Sequence, residues 1–267
     1  MFEECLSQHG CRLEDSPVCI AGQARSSKTI AGNHAIINEA ESCIESFCSI
    51  HGILRKTELL EIWKDDAVSL SAKMLITLWW GHPNYQVLKK VYSSANLNNL
   101  SELEKRILEE LTSASSEEDS EKCKIKIVAI YNKFLRGGDY HLDGIAEAFF
   151  TKFLHFWFAS HPLVSLPNYL PVIADKWMKM AVCAEMIDME DLRRRELFKV
   201  DFNYPTPIVF RRNTGQAYVT FLDFYNDRCE NLRDTFPAVT PFILEDVLFN
   251  YAGRMAQTKV QNEIKSI

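Results

Sequence analysis

The chain has 267 residues, of which 47% are hydrophobic, 25% charged and 11% aromatic. This composition supplies apolar side chains for one large core or two small ones, and it excludes a disordered, collagen-like or coiled-coil protein over most of the length. The formal net charge of -6 argues against a protein that coats nucleic acid through bulk positive charge, but it is compatible with a local basic cleft.

Residues 1–32 show no stable hydrophobic period, so we interpret them as an irregular N-terminal arm. The first residues are acidic and lack the basic start and apolar run of a signal peptide. No run of about 18 apolar residues occurs, so we expect a cytoplasmic protein without a membrane segment. The eight cysteines are scattered and are expected to be reduced thiols. The group Cys5, His9, Cys11 and Cys19 lacks the C-x2-C spacing of a zinc knuckle, so no metal is expected.

From residue 33 onward the hydrophobic pattern is helical. Ile37, Ala40 and Ile44 recur at steps of three and four residues, which places an apolar stripe on one helix face. A second helix is predicted from Thr57 towards Trp80. Further helices are predicted over residues 84–93, 99–112, 118–135, 144–160, 172–187, 217–235 and 240–257, with residues 206–210 as the only plausible strand. The sequence therefore predicts an all-α protein in which residues 33–267 form two lobes of helices around a central cleft.

Residues 145–159 are apolar on nearly every side of the predicted helix, which is typical of a core helix. Lys152 is the only lysine or arginine in this segment, and its helical neighbours Phe149 and Phe156 are aromatic. Burying an ammonium group is costly unless the group is paired or loses its proton. A buried Lys152 would therefore have a lowered pKa and supply the neutral, nucleophilic amine that forms a Schiff base. In the alternative interpretation, its head group reaches solvent at the edge of the bundle.

Asp175 follows the apolar residues 171–174 and precedes a helical segment. An aspartate in this position commonly caps a helix by accepting hydrogen bonds from backbone N–H groups. Because a capping carboxylate is also ionised and held in place, capping and catalysis are compatible.

Three segments carry a family resemblance: A-F-F-T-K-F-L-H-F at residues 148–156, P-V-I-A-D at residues 171–175 and L-E-D-V-L-F at residues 244–249. In order and spacing they resemble the helix-hairpin-helix DNA glycosylase superfamily, in its 8-oxoguanine glycosylase branch, and especially the bacterial 8-oxoguanine glycosylase-like proteins. Trp79-Trp80-Gly81 is similar to an earlier Trp-Gly element of that family. The resemblance implies an all-α, two-lobed fold with a central cleft.

The resemblance also implies roles for individual residues. Lys152 matches the catalytic lysine, which attacks C1′ of the damaged nucleotide, expels the base and forms an imine from which the strand is cleaved by elimination. Asp175 matches the aspartate that assists proton transfer and stabilises positive charge on the sugar. Such enzymes extrude the base and hold it between flat side chains. Candidates for this base pocket are Trp80, Phe149 and Phe156.

For DNA contact, the resemblance points to the hairpin glycine Gly144, although Asp143 and Ala146 replace a proline and a second glycine of the family's hairpin. Other basic candidates are Arg193, Arg194 and Arg195, Arg211 and Arg212, and Lys122, Lys124 and Lys126. Residues 101–121 hold eight acids and two bases, so this segment carries the whole net charge and the rest of the chain is neutral overall. No cysteine-rich tail is present for an iron–sulfur cluster, and no cofactor is expected.

Two other functions remain open. A non-catalytic relative would keep the pocket only to bind a modified base, a nucleotide or a partner protein, and family relatives occur beside anti-phage defence genes, which makes defence proteins candidate partners. A small helical ribonuclease with an R-x4-H motif would use Arg136 and His141. Gly137 and Gly138 lie between these two residues and would interrupt the helix that must present both.

Overall fold

The computed structural model describes residues 1–32, 34–81, 85–91, 93–201 and 207–265. Within them the protein is all-α, as predicted. Its helices are α1 (Phe2–His9), α2 (Ala21–Ala31), α3 (Ala35–Phe47), α4 (Lys56–Lys64), α5 (Leu70–Trp80), α6 (Tyr85–Val91), α7 (Ser94–Ser115), α8 (Ser120–Phe134), α9 (Glu147–Ser160), α10 (Lys176–Asp188), α11 (Arg193–Leu197), α12 (Gly215–Leu232), α13 (Pro241–Val247) and α14 (Gly253–Lys265). A π-helical turn, Leu248–Ala252, joins α13 to α14.

Two short antiparallel strand pairs are present among the described residues. Strand β1 (Val18–Cys19) pairs with β2 (Ile53–Leu54), and β3 (Phe198–Val200) pairs with β4 (Ile208–Phe210). The strand predicted over residues 206–210 is therefore confirmed at Ile208–Phe210, while Thr206 lies outside the described residues, as do Asn33, His82 and Pro83. The other strands have only two or three residues, which is too short for an alternating pattern to be visible in the sequence.

The prediction that residues 1–32 form an irregular arm is wrong, because α1 and α2 lie within them. On α1, Phe2, Cys5 and Leu6 are buried on one face and join the same core as the later helices. Ser27 is the buried residue of α2, and its Oγ accepts a 2.8 Å hydrogen bond from Nε1 of Trp79. Helix α1 is short, and α2 packs through the polar Ser27, so neither helix has enough buried apolar residues to show a helical period in the sequence.

Helices α5, α9 and α10 form the centre of the fold. Residues Leu70–Trp79 of α5 and Phe150–Phe158 of α9 are buried without interruption, so the predicted core helix is confirmed. The long buried stretch of α9 explains why residues 145–159 are apolar on nearly every side. None of the helices in the described ranges is long and apolar enough to cross a membrane.

A buried ionic cluster ties α4 to α13 and α9. The Lys56 ammonium forms an ion pair with Glu245 and lies 3.6 Å from Oδ1 of Asp246, and all three side chains are buried. Nε2 of His155, on α9, lies 3.8 Å from Oε2 of Glu245. Nδ1 of His155 is 3.1 Å from the carbonyl oxygen of Pro171, which can only accept, so Nδ1 carries the proton. Burial and the Lys56 charge lower the pKa of His155 well below its usual range, so the imidazole is neutral.

Lys56→Met is expected to destabilise the protein by about 3 to 5 kcal/mol, because it leaves the Glu245 carboxylate buried without its cation. Urea unfolding measures this change. Lys28→Met is the matched control, since Lys28 pairs with Glu41 at the surface with 56% of its side chain exposed, and its loss is expected to cost less than about 1 kcal/mol. Equal effects of the two substitutions would contradict a structural role for the buried cluster.

Candidate active site

A cavity of about 490 Å³ opens where the end of α5, the first turns of α9, the start of α10 and the π-helical turn meet. It brings together Lys152 and Asp175, the two residues that the sequence singled out from separate segments. The full lining is Val18, Trp80, Gly81, Ala148, Phe149, Lys152, Asp175, Lys176, Trp177 and Phe249.

Lys152 is buried, with only 6% of its surface exposed, so its head group does not reach bulk solvent at the edge of the bundle. Its Nζ donates a 3.1 Å hydrogen bond to the carbonyl oxygen of Ala148 and lies 5.7 Å from the centre of the Phe149 ring. Burial lowers the pKa of Lys152, and the negative charges of Asp175 and Glu245 oppose that effect only in part. The lysine is therefore closer to its neutral, nucleophilic form than a surface lysine.

Asp175 is the N-cap of α10. Its Oδ1 accepts 2.9 Å hydrogen bonds from the backbone N–H groups of Trp177 and Met178, so the capping role is confirmed. The carboxylate is fixed by these bonds at the pocket, where it remains partly exposed. The apolar surroundings raise the pKa of Asp175, and the Lys152 charge opposes the rise. Because the pocket disfavours the charged form of both groups, moving a proton between them costs less than it would in water.

The rate of any reaction in which Lys152 is the nucleophile is expected to rise with pH and to level off below the usual pKa range of lysine. The sign follows from the lowered pKa: the reactive neutral amine is populated at lower pH than in a solvated lysine. Single-turnover rates measured at saturating substrate between about pH 5 and pH 10 test this. A rate that keeps rising through the ordinary lysine range would show that Lys152 is solvated during the reaction.

Aromatic side chains form much of the pocket wall. Trp80 and Phe149 line it as predicted candidates, and Trp177 and Phe249 complete it. Phe156 is fully buried and meets Trp80 edge-on at 5.5 Å, so it supports the wall from behind and offers no open ring face. The prediction of Phe156 as a stacking face is corrected here. Side chains on a helix lean towards its N-terminus, so Lys152 lies over Ala148 and Phe149, not over the following turn that carries Phe156.

Val18, Trp177 and Phe249 are among the wall residues that the sequence analysis did not assign to the pocket. Phe249 ends the L-E-D-V-L-F segment, and its place in a π-helical turn, where the regular helical spacing is broken, leaves it 38% exposed in the pocket. Trp177 lies two residues after Asp175, close to it in the sequence. Val18 belongs to a two-residue strand, for which the sequence offered no signal.

A family model described as "Putative 8-oxoguanine DNA glycosylase OGG-like protein" matches residues 54–249, which is more than half of the chain. The chain belongs to this OGG-like family. The matched segment contains Trp80, Lys152, Asp175 and Phe249, and the predicted resemblance is confirmed. Val18 lies before the matched segment, so this wall of the OGG-like pocket comes from outside it. No curated protein and no solved structure matches the chain.

Gly81 lets two sides of the OGG-like pocket approach closely. A Cβ at this position would lie 3.0 Å from Cε1 of Phe149 and 3.4 Å from Cε of Lys152. Gly81→Val is therefore expected to displace Phe149 and to slow any reaction of Lys152 in this pocket roughly tenfold to hundredfold, as small misplacements in active sites do. Gly22→Val is the control, because nothing lies within 4 Å of a Cβ there. An unchanged rate in Gly81→Val would contradict the tight packing.

The DNA-contact candidates fall into separate places. Gly144 has a φ of +89°, which favours glycine, and its Cα faces Lys90 and Val91 of α6. The Arg194 side chain is largely buried and paired with Glu263, so it is a structural cation. Arg193, Arg211 and Arg212 line a second cavity, described below, together with Arg195. Three lysines of α8 each form an ion pair with an acid of the chain: Lys122 with Asp119, Lys124 with Asp223 and Lys126 with Glu117.

Arg136 and His141 do not form the helical pair that a ribonuclease of the R-x4-H type requires. Helix α8 ends at Phe134, and both residues follow it in turns on either side of Gly137 and Gly138. Gly137 adopts a φ of +86°, a conformation that ends a helix. Nε2 of His141 faces Asp143 at 3.5 Å instead.

Proposed function

We propose that the protein is a DNA N-glycosylase with AP lyase activity that excises a modified purine, such as 8-oxoguanine, through an imine on Lys152. The observation that carries the proposal is a single buried lysine with a lowered pKa, beside a fixed carboxylate, in an aromatic pocket inside the OGG-like segment. A neutral amine and a nearby carboxylate in a water-poor site are the groups that this chemistry needs.

In the first step the lone pair on Nζ of Lys152 attacks C1′ of the nucleotide, and the bond between C1′ and the base nitrogen breaks. The base leaves with the bonding electrons and takes up a proton. Asp175 accepts a proton released from the Lys152 nitrogen, and its negative charge stabilises the positive charge that develops on the sugar. The site thus supplies a nucleophile and a base from two adjacent helices, α9 and α10.

In the lyase step the sugar ring opens to an imine between C1′ and Nζ of Lys152. The imine acidifies C2′, and loss of a proton from C2′ expels the 3′-phosphate and breaks the strand. Hydrolysis of the remaining imine then regenerates the free lysine. Each bond that forms is matched by one that breaks, and water is the only co-reactant.

A purine reaches this pocket only when it is extruded from the duplex. The cavity of about 490 Å³ falls in the usual range for pockets that hold a small ligand. Trp80, Phe149 and Phe249 offer aromatic surface on its walls, which suits the flat faces of a base. DNA that contains a modified base is therefore the proposed partner.

The test is base release and strand cleavage by the full chain on two matched duplexes, one with 8-oxoguanine opposite cytosine and one with guanine. Chromatography measures the released base, and a denaturing gel measures the cut strand. The proposal expects both products from the modified duplex alone. Cleavage that also occurs with guanine, or release without any cleavage, would contradict the proposed specificity or the lyase step respectively.

Binding of the modified duplex without release of the base would favour the second candidate. In the anti-phage setting that the resemblance implies, the same pocket would hold a modified base, a nucleotide or a segment of a defence protein without cleaving it. The burial of Lys152 favours catalysis over this candidate. Burying a lysine lowers the stability of the fold, and a pocket that only binds a ligand does not require a buried lysine.

A further inference from the structure

A second cavity, of about 750 Å³, is lined by arginines from α11, from the end of β4 and from the loop before α12. We call it the arginine groove and define it by Arg193, Arg195, Arg211 and Arg212, with Thr214 and Gln216 at one side. All four arginines are exposed. One acid, Glu196, also lines the cavity, so basic side chains prevail.

Arg193 forms an ion pair with Asp191, so only the other three arginines of the groove differ from the paired cations of the chain. Arg228, Arg233 and Lys124 form ion pairs with acids of the chain. By contrast, Arg195, Arg211 and Arg212 have no acidic partner among the described residues, although the Nε of Arg211 donates to the carbonyl oxygen of Arg195. Guanidinium groups without an internal counter-charge, gathered in one concave site, match the geometry of phosphate oxygens.

The backbone around the groove adds to its preference for an anion. Helix α12 has 18 residues and begins at Gly215, next to Thr214, so the positive end of its dipole lies at the groove. The Thr214 hydroxyl oxygen accepts from the N–H of Ala217, which leaves its own proton free to donate. Arginines, a hydroxyl and a helix start therefore converge on the same cavity.

The groove is linked to the base pocket through α10. Phe210, at the end of β4, lies under the Lys179 ammonium, 4.5 Å from Nζ to the ring centre. Lys179 in turn pairs with Glu147, the residue before Ala148 of the pocket wall. Lys179 is one helical turn beyond Asp175, about 6 Å along the axis. Arg193 follows the far end of α10, which is about 20 Å from Asp175.

We propose that the arginine groove binds the phosphodiester backbone of DNA outside the base pocket. Lys179 and the far end of α10, which border the groove elements, lie about 6 and 20 Å from Asp175, and at about 3.4 Å of rise for each nucleotide these distances correspond to phosphates about two to six nucleotides from the extruded base. This proposal rests on the proposed function, since it takes DNA as the substrate. In this proposal the DNA backbone is bound by residues of α11, of the end of β4 and of the start of α12, and not by the hairpin at Gly144.

The test uses the full chain and a duplex of about 25 base pairs with a central tetrahydrofuran abasic analogue, which Lys152 cannot cleave. The variant is Arg195→Gln with Arg212→Gln, and the charge-matched control is Lys64→Gln with Lys105→Gln, two exposed lysines in other parts of the chain. Binding is measured at several salt concentrations. Loss of two phosphate contacts is expected to lower the salt-dependence slope by about 2 and to weaken binding at low salt roughly tenfold.

A second arm locates the contacts. Neutral methylphosphonate linkages placed two to six nucleotides from the abasic site, on either side, are expected to weaken binding by the wild type but to have little further effect on the arginine variant. Linkages beyond about eight nucleotides are expected to leave both unchanged. Melting temperatures of all variants should match that of the wild type, because the four substituted side chains are exposed.

Three results would overturn the proposal. The first is an unchanged salt-dependence slope in the arginine variant, and the second is an equal loss of DNA binding in the lysine control. The third is a rise in melting temperature with inorganic phosphate that equals the rise with the duplex at the same phosphate concentration. The last would indicate a site for an isolated anion. If the wild type binds no duplex at all, the proposed function fails together with the groove. If it binds through the groove but releases no base from a modified duplex, the groove stands and the catalytic proposal fails.

Discussion

Lys152→Gln is expected to lower the single-turnover rate of base excision on the order of 10⁴-fold or more, since removal of a nucleophile has effects of this size in other enzymes. Glutamine keeps much of the side-chain length and can still donate to the Ala148 carbonyl, as Nζ does. Its amide nitrogen has no free lone pair for attack on C1′. Rates with enzyme in excess over an 8-oxoguanine duplex measure the change without a contribution from product release.

Lys176→Gln is the matched control for this prediction. Lys176 also lines the pocket, but it is exposed and lies over the Trp177 ring at 4.6 Å. Its ammonium group is therefore not desolvated by apolar side chains as that of Lys152 is. We expect Lys176→Gln to change the rate by less than about tenfold. A large loss in Lys176→Gln with a small loss in Lys152→Gln would assign the nucleophile to the exposed lysine and contradict the account.

Asp175→Asn is expected to reduce the excision rate on the order of 10² to 10⁴-fold with little loss of stability. Asparagine caps helices about as well as aspartate, so the bonds to Trp177 and Met178 are retained. What is lost is the negative charge that, in the proposed mechanism, stabilises the sugar cation and accepts a proton. Rate and melting temperature measured on the same preparation separate the two effects.

Asp119→Asn offers a control with the same local chemistry. Oδ1 of Asp119 caps α8 by accepting 3.0 Å bonds from the N–H groups of Glu121 and Lys122, away from the pocket. This variant should keep the full rate. Comparable losses of activity in Asp175→Asn and Asp119→Asn would mean that the loss comes from weaker helix capping and not from the missing charge in the pocket. An unchanged rate in Asp175→Asn would remove Asp175 from the chemistry.

The central helix of the fold and the environments of Lys152 and Asp175 could be predicted, because each depends on a short stretch of sequence. An apolar segment with one lysine indicates a core helix and a perturbed amine, and both properties are present at Lys152. Asp175 was identifiable as a cap because capping depends on the residue type and the start of a helix. These features need no knowledge of which elements pack together.

The pocket walls could not be predicted in the same way. Phe156 shares a helical row with Lys152, but the direction in which side chains lean decides which turn faces the cavity, and this turn carries Phe149. Phe249 depends on a π-helical turn, and Val18 on a two-residue strand. The arginine groove joins Arg193 and Arg195 to Arg211 and Arg212 across the β3–β4 hairpin, and only the folded chain shows that these pairs meet while Arg194 turns to Glu263.

The central claim is that Lys152 itself forms a covalent imine with the sugar. Sodium borohydride reduces such an imine to a stable amine, so a reaction with the 8-oxoguanine duplex in its presence should leave protein joined to DNA. Digestion of the trapped complex and mass spectrometry identify the modified peptide. The account predicts an adduct on Lys152 that disappears in Lys152→Gln and persists in Lys176→Gln. An adduct on any other residue, or excision of the base with no trapped adduct, would contradict it.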